Sequence, residues 1–171
     1  MRYWLTIIPL FAITFLQAQK KIERTLSIKL SGDIKKEKVI NYQDILGYKT
    51  QLVGTVSLVN HAGEKRSTLN NLKGVLLKDV LEKLEYETPG PRELSEFYFT
   101  IIASDQYKVV YSWNELFNSP TGNTVYLITE KEGVSIDKME DAILLVNTSD
   151  FKTGRRHVKA VSEIRVSRVK Q

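Results

Sequence analysis

The sequence predicts an α+β domain, in which a mixed β-sheet is accompanied by a few short helices. Segments that alternate apolar and polar residues, such as TLSIKLSGD at 25–33, recur along the chain and predict roughly six to eight strands. One segment, VLLKDVLEKL at 75–84, repeats its apolar residues at helical spacing. No low-complexity or linker-like segment divides the chain, so we expect one domain after an N-terminal export signal.

The first 18 residues have the pattern of a secretory signal peptide. Arg2 supplies the positive charge, TIIPLFAITFL at 6–16 supplies the apolar core, and LQA predicts cleavage after Ala18. The alternative is an uncleaved anchor helix, but the apolar run is shorter than the ~20 residues that a spanning helix needs. We therefore expect a signal peptide at 1–18, a single mature domain at 19–171, no membrane span after cleavage, and a periplasmic or secreted location.

The first half of the mature chain is predicted to contain two strands and two helices. Alternation predicts a strand at 25–33, and the β-branched residues of TVSLVN predict another at 55–60. Asn41 is placed to cap a short helix over YQDIL. The spacing at 75–84 predicts the clearest helix, and PGP at 89–91 predicts the loop after it.

The second half is richer in predicted strands. EFYFTIIAS and QYKVVYS predict a hairpin at 96–112 that turns around Ser104, Asp105 and Gln106. Ser112 is placed to cap a short helix over WNELF. Further strands are predicted in NTVYLITEKEG (123–133), DAILLVNTSD (141–150) and HVKAVSEIRVSRV (157–169).

The composition excludes several kinds of site. The chain has no cysteine, so disulfides, thiol nucleophiles and zinc–thiolate sites are excluded. It has two histidines, His61 and His157, which are too few for a histidine-rich metal site. The net charge of +5 comes from scattered basic residues without a dense face and stacking aromatics, so we expect no nucleic-acid partner. The motifs of serine hydrolases, dinucleotide-binding folds and P-loop enzymes are absent.

Several blocks of the sequence, read in order, resemble a known family. They are SLVNHAG (57–63), LKGVLLKDVLEKL (72–84), ASDQYKVVYSWNEL (103–116), VYLITEKEG (125–133), DAILLVNTSD (141–150) and GRRHVKAVSEIRV (154–166). Together they resemble the oxidoreductase molybdopterin-binding domain family over roughly residues 24–168. The resemblance implies a sulfite-oxidase-like fold with a mixed, barrel-like sheet, and it implies molybdopterin as the cofactor.

The chain departs from the family at the position that carries the metal chemistry. Members of the family have a cysteine whose thiolate binds molybdenum, and the matching position here is Asn60. A neutral carboxamide offers only a weak oxygen donor, so we do not expect molybdenum to bind. Gln106 replaces a glycine of the family, Leu144 or a neighbour replaces an arginine, and His157 replaces a tryptophan. We therefore predict no catalytic residue and no metal ligand.

The resemblance implies a binding site between the end of the strand at 55–60 and the C-terminal block, which lies near the pterin phosphate in the family. Arginine guanidinium groups suit phosphate oxygens geometrically. The alternatives are a solvated basic loop at 155–159 and an ordinary Asx-turn at Asn60. The candidate cofactor-binding residues are Asn60, His61, Arg155, Arg156, His157 and Lys159.

Three functions remain open from the sequence. The first is an exported, catalytically degenerate protein that binds a small anionic or pterin-like ligand or acts as an accessory protein. The second is a molybdenum-cofactor-dependent oxidoreductase in which Asn60 or His61 replaces the cysteine ligand. The third is a structural or protein-interaction domain of the cell envelope. Because the family consists of oxidoreductases but its metal-binding cysteine is missing here, enzymatic activity is left open.

Overall fold

The computed structural model describes residues 21–169, so the predicted signal peptide at 1–18 lies outside the described residues. Within this range the chain consists mainly of strands with a few short helices, which confirms the α+β class. The strands are β1 (Ser27–Gly32), β2 (Lys38–Asn41), β3 (Gln51–Val59), β4 (Lys65–Leu76), β5 (Phe97–Ala103), β6 (Lys108–Ser112), β7 (Val125–Lys131), β8 (Val134–Ser135), β9 (Leu144–Asn147) and β10 (Val161–Arg168). The α-helices are α1 (Tyr42–Leu46), α2 (Leu77–Leu81) and α3 (Trp113–Phe117), and 3₁₀ turns cover Pro91–Glu96, Pro120–Asn123 and Thr153–Arg156.

The strands form two five-stranded sheets. The first has the order β2-β1-β10-β5-β6, with β1 and β10 parallel and the other pairs antiparallel. In the second, β3-β4-β7-β8 lie in order and β9 also pairs with β7, all antiparallel. Side chains from both sheets form one buried cluster, for example Ile28 and Phe99 from the first sheet and Leu72 and Leu127 from the second.

The barrel-like part of the fold prediction needs correction. Within residues 21–169 neither sheet closes on itself, because β2 and β6 end the first sheet and β3 ends the second without a further strand partner. The described chain therefore has two open sheets around a common core. The three α-helices of this range have five residues each, far fewer than a membrane-spanning helix needs.

The helix predicted at 75–84 is much shorter than its apolar spacing suggested. The chain remains in β4 through Leu76, and α2 covers only Leu77–Leu81. Gly74 and Val75 pair with β7, and a Cβ at Gly74 would lie 2.8 Å from the carbonyl oxygen of Leu127. The sheet therefore takes the first part of the apolar run, and pairing between strands overrides the helical periodicity.

The local signals at the predicted helix starts and in the hairpin are confirmed. Asn41 and Ser112 cap α1 and α3, each in a reciprocal capping box with an acidic residue three positions later. β5 and β6 form the predicted hairpin. Gln106 has φ of 74° in its turn, so this position requires the left-handed conformation that glycine adopts without strain.

Candidate functional site

A cavity of about 470 Å³ opens at the end of β3. One wall comes from the hairpin that joins β3 to β4, and the other comes from the loop between β9 and β10, with one tyrosine from the β5–β6 turn region. We call this space the site cavity. Its lining residues are Leu58, Val59, Asn60, His61, Arg66, Ser67, Tyr107, Gly154, Arg155 and His157.

The loop between β9 and β10 is fixed to β3 through contacts with the backbone of that strand. The hydroxyl of Thr153 donates to the carbonyl oxygen of Ser57 at 2.6 Å and accepts from the N–H of Val59 at 2.9 Å. A Cβ at Gly154 would lie 2.9 Å from the carbonyl oxygen of Val59, so a larger residue there would push the loop outward. The hydroxyl of Tyr107 donates to the carbonyl oxygen of Arg155 at 2.6 Å and ties the loop to the β5–β6 hairpin.

Asn60 lines the site cavity, but its carboxamide is committed to its own turn. Its Oδ1 accepts hydrogen bonds from the N–H groups of Ala62 (3.0 Å) and Glu64 (2.9 Å). Its Nδ2 donates to the carboxylate of Glu64 at 3.0 Å. This is the Asx-turn that the sequence left open as the alternative, and it leaves the amide oxygen poorly placed to ligate anything else.

His61 and Arg155 also line the site cavity, and both are exposed. Lys152 reaches across from the loop and donates from Nζ to the carbonyl oxygen of His61. The guanidinium of Arg155 makes no hydrogen bond or ion pair with any residue in the range 21–169. It is therefore free to meet a ligand.

Arg66 is a second cation of the site cavity that the sequence did not single out. It lies on β4 and pairs with Glu64 at 2.9 Å, with both side chains well exposed. The cross-strand register, in which Ser67 faces Leu58, brings the start of β4 beside the end of β3. Recognising 55–67 as a hairpin would have placed Arg66 near Asn60. The residues that follow Gly63 in this range are all polar, so they lack the alternation of apolar and polar residues that predicts a strand.

Arg156 is turned away from the site cavity. Its guanidinium bonds both carboxylate oxygens of Asp150, at 2.8 and 2.5 Å, and reaches Glu115 at 3.0 Å. It also lies over the ring of Tyr111, with Cζ 4.3 Å from the ring centre. Hydrogen bonds to Asp150 raise the pKa of Arg156 above its usual value. Burial would raise the pKa of Glu115, but hydrogen bonds from Ser112 and Arg156 hold it below its ordinary value.

Lys159 is likewise engaged elsewhere. It pairs with Asp141 at 2.6 Å, and Lys131 contacts the other oxygen of the same buried carboxylate. Burial alone would raise the pKa of Asp141, but the two lysines lower it below its usual range. Lys159 lines a separate cavity of about 120 Å³. The structure therefore brings Asn60, His61, Arg155 and His157 to one cavity and leaves Arg156 and Lys159 outside it.

His157 lies between these two cavities and lines both. Its Nε2 is buried and has no hydrogen-bond partner among residues 21–169. Burial, followed by the charge of Lys159, lowers the pKa of His157 to about 4. The ring is therefore neutral near pH 7, and the positive charge of the site cavity comes from its arginines.

The donor set at this position does not fit a molybdenum ion. The chain has no cysteine, and the oxygen of Asn60 already accepts two backbone hydrogen bonds. Across residues 21–169 no three His, Cys, Asp or Glu side chains group together as a metal site. The site cavity does fit an anion, because Arg155 and Arg66 supply charge beside the apolar surface of Leu58 and Val59.

Comparisons with known proteins support the fold. No protein-family model matches the sequence, and no curated protein sequence matches it. The crystal structure of the sulfane dehydrogenase SoxCD from Paracoccus pantotrophus is similar, with a TM-score of 0.57 and 13% sequence identity. The similarity covers 85% of this chain but only 39% of that chain. At this identity it supports the fold implied by the resemblance, and it says nothing about ligand or activity.

Proposed function

We propose that the chain is an exported accessory or binding protein that holds a small anionic ligand in the site cavity and does not catalyse oxygen-atom transfer. The observation that carries this proposal is the position of Arg155, which lines a cavity of about 470 Å³ and has no side-chain partner within residues 21–169. Export rests on the signal-peptide pattern at 1–18, and the loss of catalysis rests on the missing cysteine.

The charges of the site cavity favour an anion. A guanidinium donates two parallel hydrogen bonds to a carboxylate or a phosphate, and these are among the stronger bonds that proteins make. Arg155 would not have to leave another partner. Arg66 would exchange the exposed carboxylate of Glu64 for the ligand, and an exposed ion pair contributes little free energy.

The remaining surface of the site cavity favours a ligand with a flat, partly apolar body. Leu58 and Val59 contribute apolar surface, and the exposed ring of Tyr107 offers a face for stacking. A pterin-like compound with a carboxylate or phosphate has both features, which is why the resemblance and the lining residues support the same class. Molybdopterin is one such compound, and we propose its binding only without the metal.

The proposal is tested by comparing two charge reversals. Arg155→Glu is expected to weaken binding of pterin-6-carboxylate at low ionic strength by about tenfold or more, because a repulsive charge replaces the guanidinium. Arg92→Glu is the matched control, since Arg92 is exposed in the 3₁₀ turn Pro91–Glu96 and is distant in sequence from the site cavity. Fluorescence titration of the pterin measures both affinities.

Two results would contradict the proposal. One is equal affinity of the Arg155→Glu and Arg92→Glu variants for pterin-6-carboxylate. The other is the absence of saturable binding of pterin-6-carboxylate, pyrophosphate and inorganic phosphate by the unaltered protein. Thermal unfolding followed by circular dichroism establishes that both variants are folded.

A further inference from the structure

Phe151 is the most exposed large apolar side chain among residues 21–169. The residue is 99% exposed, so it buries almost no surface in the fold. Single exposed apolar residues are common and indicate nothing by themselves. The position of Phe151 differs from such residues because the chain on both sides of it is firmly held.

The residues around Phe151 fix the loop that carries it. On one side, Asp150 holds the guanidinium of Arg156 through both oxygens and accepts from Nδ2 of Asn147 at 2.9 Å. On the other side, Lys152 donates to the carbonyl oxygen of His61, and the next residue is anchored to β3. A ring presented by a fixed loop loses little conformational entropy when it is buried by a partner.

The surface next to the ring is cationic. Lys152 follows it directly, and Arg155, on the same loop, lines the site cavity. Asp150, which precedes the ring in sequence, is paired with Arg156 and has little exposed surface. A partner that buries Phe151 therefore gains complementary charge if it carries carboxylates beside Lys152 and Arg155.

We propose that Phe151 anchors a second, folded protein whose surface offers an apolar socket rimmed by Asp and Glu side chains. Aromatic side chains are enriched in the cores of protein interfaces. A single ring gives too little apolar area for stable attachment to a lipid surface. A second copy of the chain docked symmetrically on this face would bring cationic surfaces together, so it is disfavoured.

The test uses the full chain in the cells that make it. A photo-crosslinking phenylalanine analogue is placed at Phe151 and, as the control, at Leu52, which is 79% exposed on β3. We expect a protein adduct at position 151 that does not form at position 52. The identified protein is then purified and titrated against the unaltered chain, Phe151→Ala and Leu52→Ala.

The expected outcome is a loss of affinity of about 10-fold to 100-fold for Phe151→Ala, no change for Leu52→Ala, and weaker binding as salt rises. Phe151→Ala is also expected to retain its melting temperature and its affinity for pterin-6-carboxylate, so this inference and the proposed ligand site fail separately. Adducts to lipid, adducts to a second copy, equal adducts at both positions, or salt-independent binding would each overturn the proposal.

Discussion

The hydroxyl of Thr153 accepts a 2.9 Å hydrogen bond from the backbone N–H of Val59, although 94 residues separate them in sequence. The same hydroxyl donates to the carbonyl oxygen of Ser57 at 2.6 Å. β3 is an edge strand of its sheet, and here a side chain satisfies backbone groups that a further strand would otherwise pair. This contact sets the distance between the two walls of the site cavity.

Replacing Thr153 by valine is expected to destabilise the fold by about 1–3 kcal/mol. Valine keeps the shape but removes both hydrogen bonds, and it leaves the N–H of Val59 without its partner. Urea unfolding measures the change. Thr55→Val is the control, because Thr55 is an exposed residue of β3, the strand to which Thr153 is bonded. Equal effects of the two substitutions would show that the hydroxyl of Thr153 does not hold the loop.

The side chain of Asn60 is expected to stabilise its turn and to contribute little to ligand binding. Asn60→Ala removes two accepted hydrogen bonds and one donated bond, and should lower the free energy of unfolding by about 1–2 kcal/mol. The affinity for pterin-6-carboxylate should change less than twofold. Asn118→Ala, at the exposed end of α3, is the control for stability. A large loss of affinity with unchanged stability would mean that the amide binds the ligand instead.

Gln106 occupies a position where glycine is more favourable. Its φ of 74° lies in the left-handed region, which costs a residue with a Cβ about 1–2 kcal/mol. Gln106→Gly is therefore expected to raise the free energy of unfolding by up to about 1 kcal/mol, the gain being reduced by the greater entropy of glycine in the unfolded chain. Gln106→Ala retains the Cβ and should have little effect, so stabilisation by alanine would point to a different cause.

Local signals in the sequence predicted local structure well. The caps at Asn41 and Ser112 could be recognised because a capping box needs only four consecutive positions. The boundary of α2 could not, because it depends on pairing between Gly74 and β7, about 50 residues later. The first half of β4, from Lys65, was missed because its exposed residues do not alternate.

The site could be predicted from the sequence only in outline. The resemblance brought Asn60 and Arg155 into one site, and the structure places both on the wall of the site cavity. The resemblance did not distinguish Arg155 from Arg156, although the two side chains have different surroundings. A 3₁₀ turn has no amphipathic period long enough to show which side chain faces inward, and the partner of Arg156 is set by tertiary contacts.

The stability of the fold is expected to fall as pH decreases from 7 to 5, because of His157. Its pKa in the folded protein is about 4, below the ordinary value of 6.5, so the unfolded chain binds the proton first. Stability is therefore fully present above pH 6.5 and is lost as pH falls towards 4. The expected loss is about 2 kcal/mol between pH 7 and pH 5.

Urea unfolding of the unaltered protein and of His157→Phe at several pH values measures this dependence. The phenylalanine variant should lose most of the slope between pH 7 and pH 5, whatever its stability at pH 7. His61→Gln is the matched control, because it alters the exposed histidine of the site cavity and leaves His157 in place. Charged groups near His157, namely Lys159, Asp141 and Lys131, remain in all variants. An unchanged slope in His157→Phe would assign the pH dependence to other groups.

Alanine substitutions at the adjacent residues Arg155 and Arg156 are expected to affect different properties. Arg156→Ala should mainly lower stability, and Arg155→Ala should mainly weaken ligand binding. Arg156→Ala leaves the largely buried carboxylate of Asp150 without its bidentate partner and removes the guanidinium from the ring of Tyr111. It should lower the free energy of unfolding by about 2–4 kcal/mol. Arg155→Ala removes a side chain without a partner within residues 21–169, so it should change stability by less than about 0.5 kcal/mol.

Ligand titration is expected to reverse this order. Arg155→Ala should weaken the binding of pterin-6-carboxylate, whereas Arg156→Ala, measured where it is fully folded, should retain most of the affinity. Arg156→Lys separates the two properties of Arg156, because it keeps the charge but cannot bond both oxygens of Asp150. We expect the lysine variant to regain only part of the stability. If Arg156→Ala instead lost affinity while its stability was unchanged, the guanidinium of Arg156 would have to face the ligand, contrary to its contacts with Asp150 and Glu115.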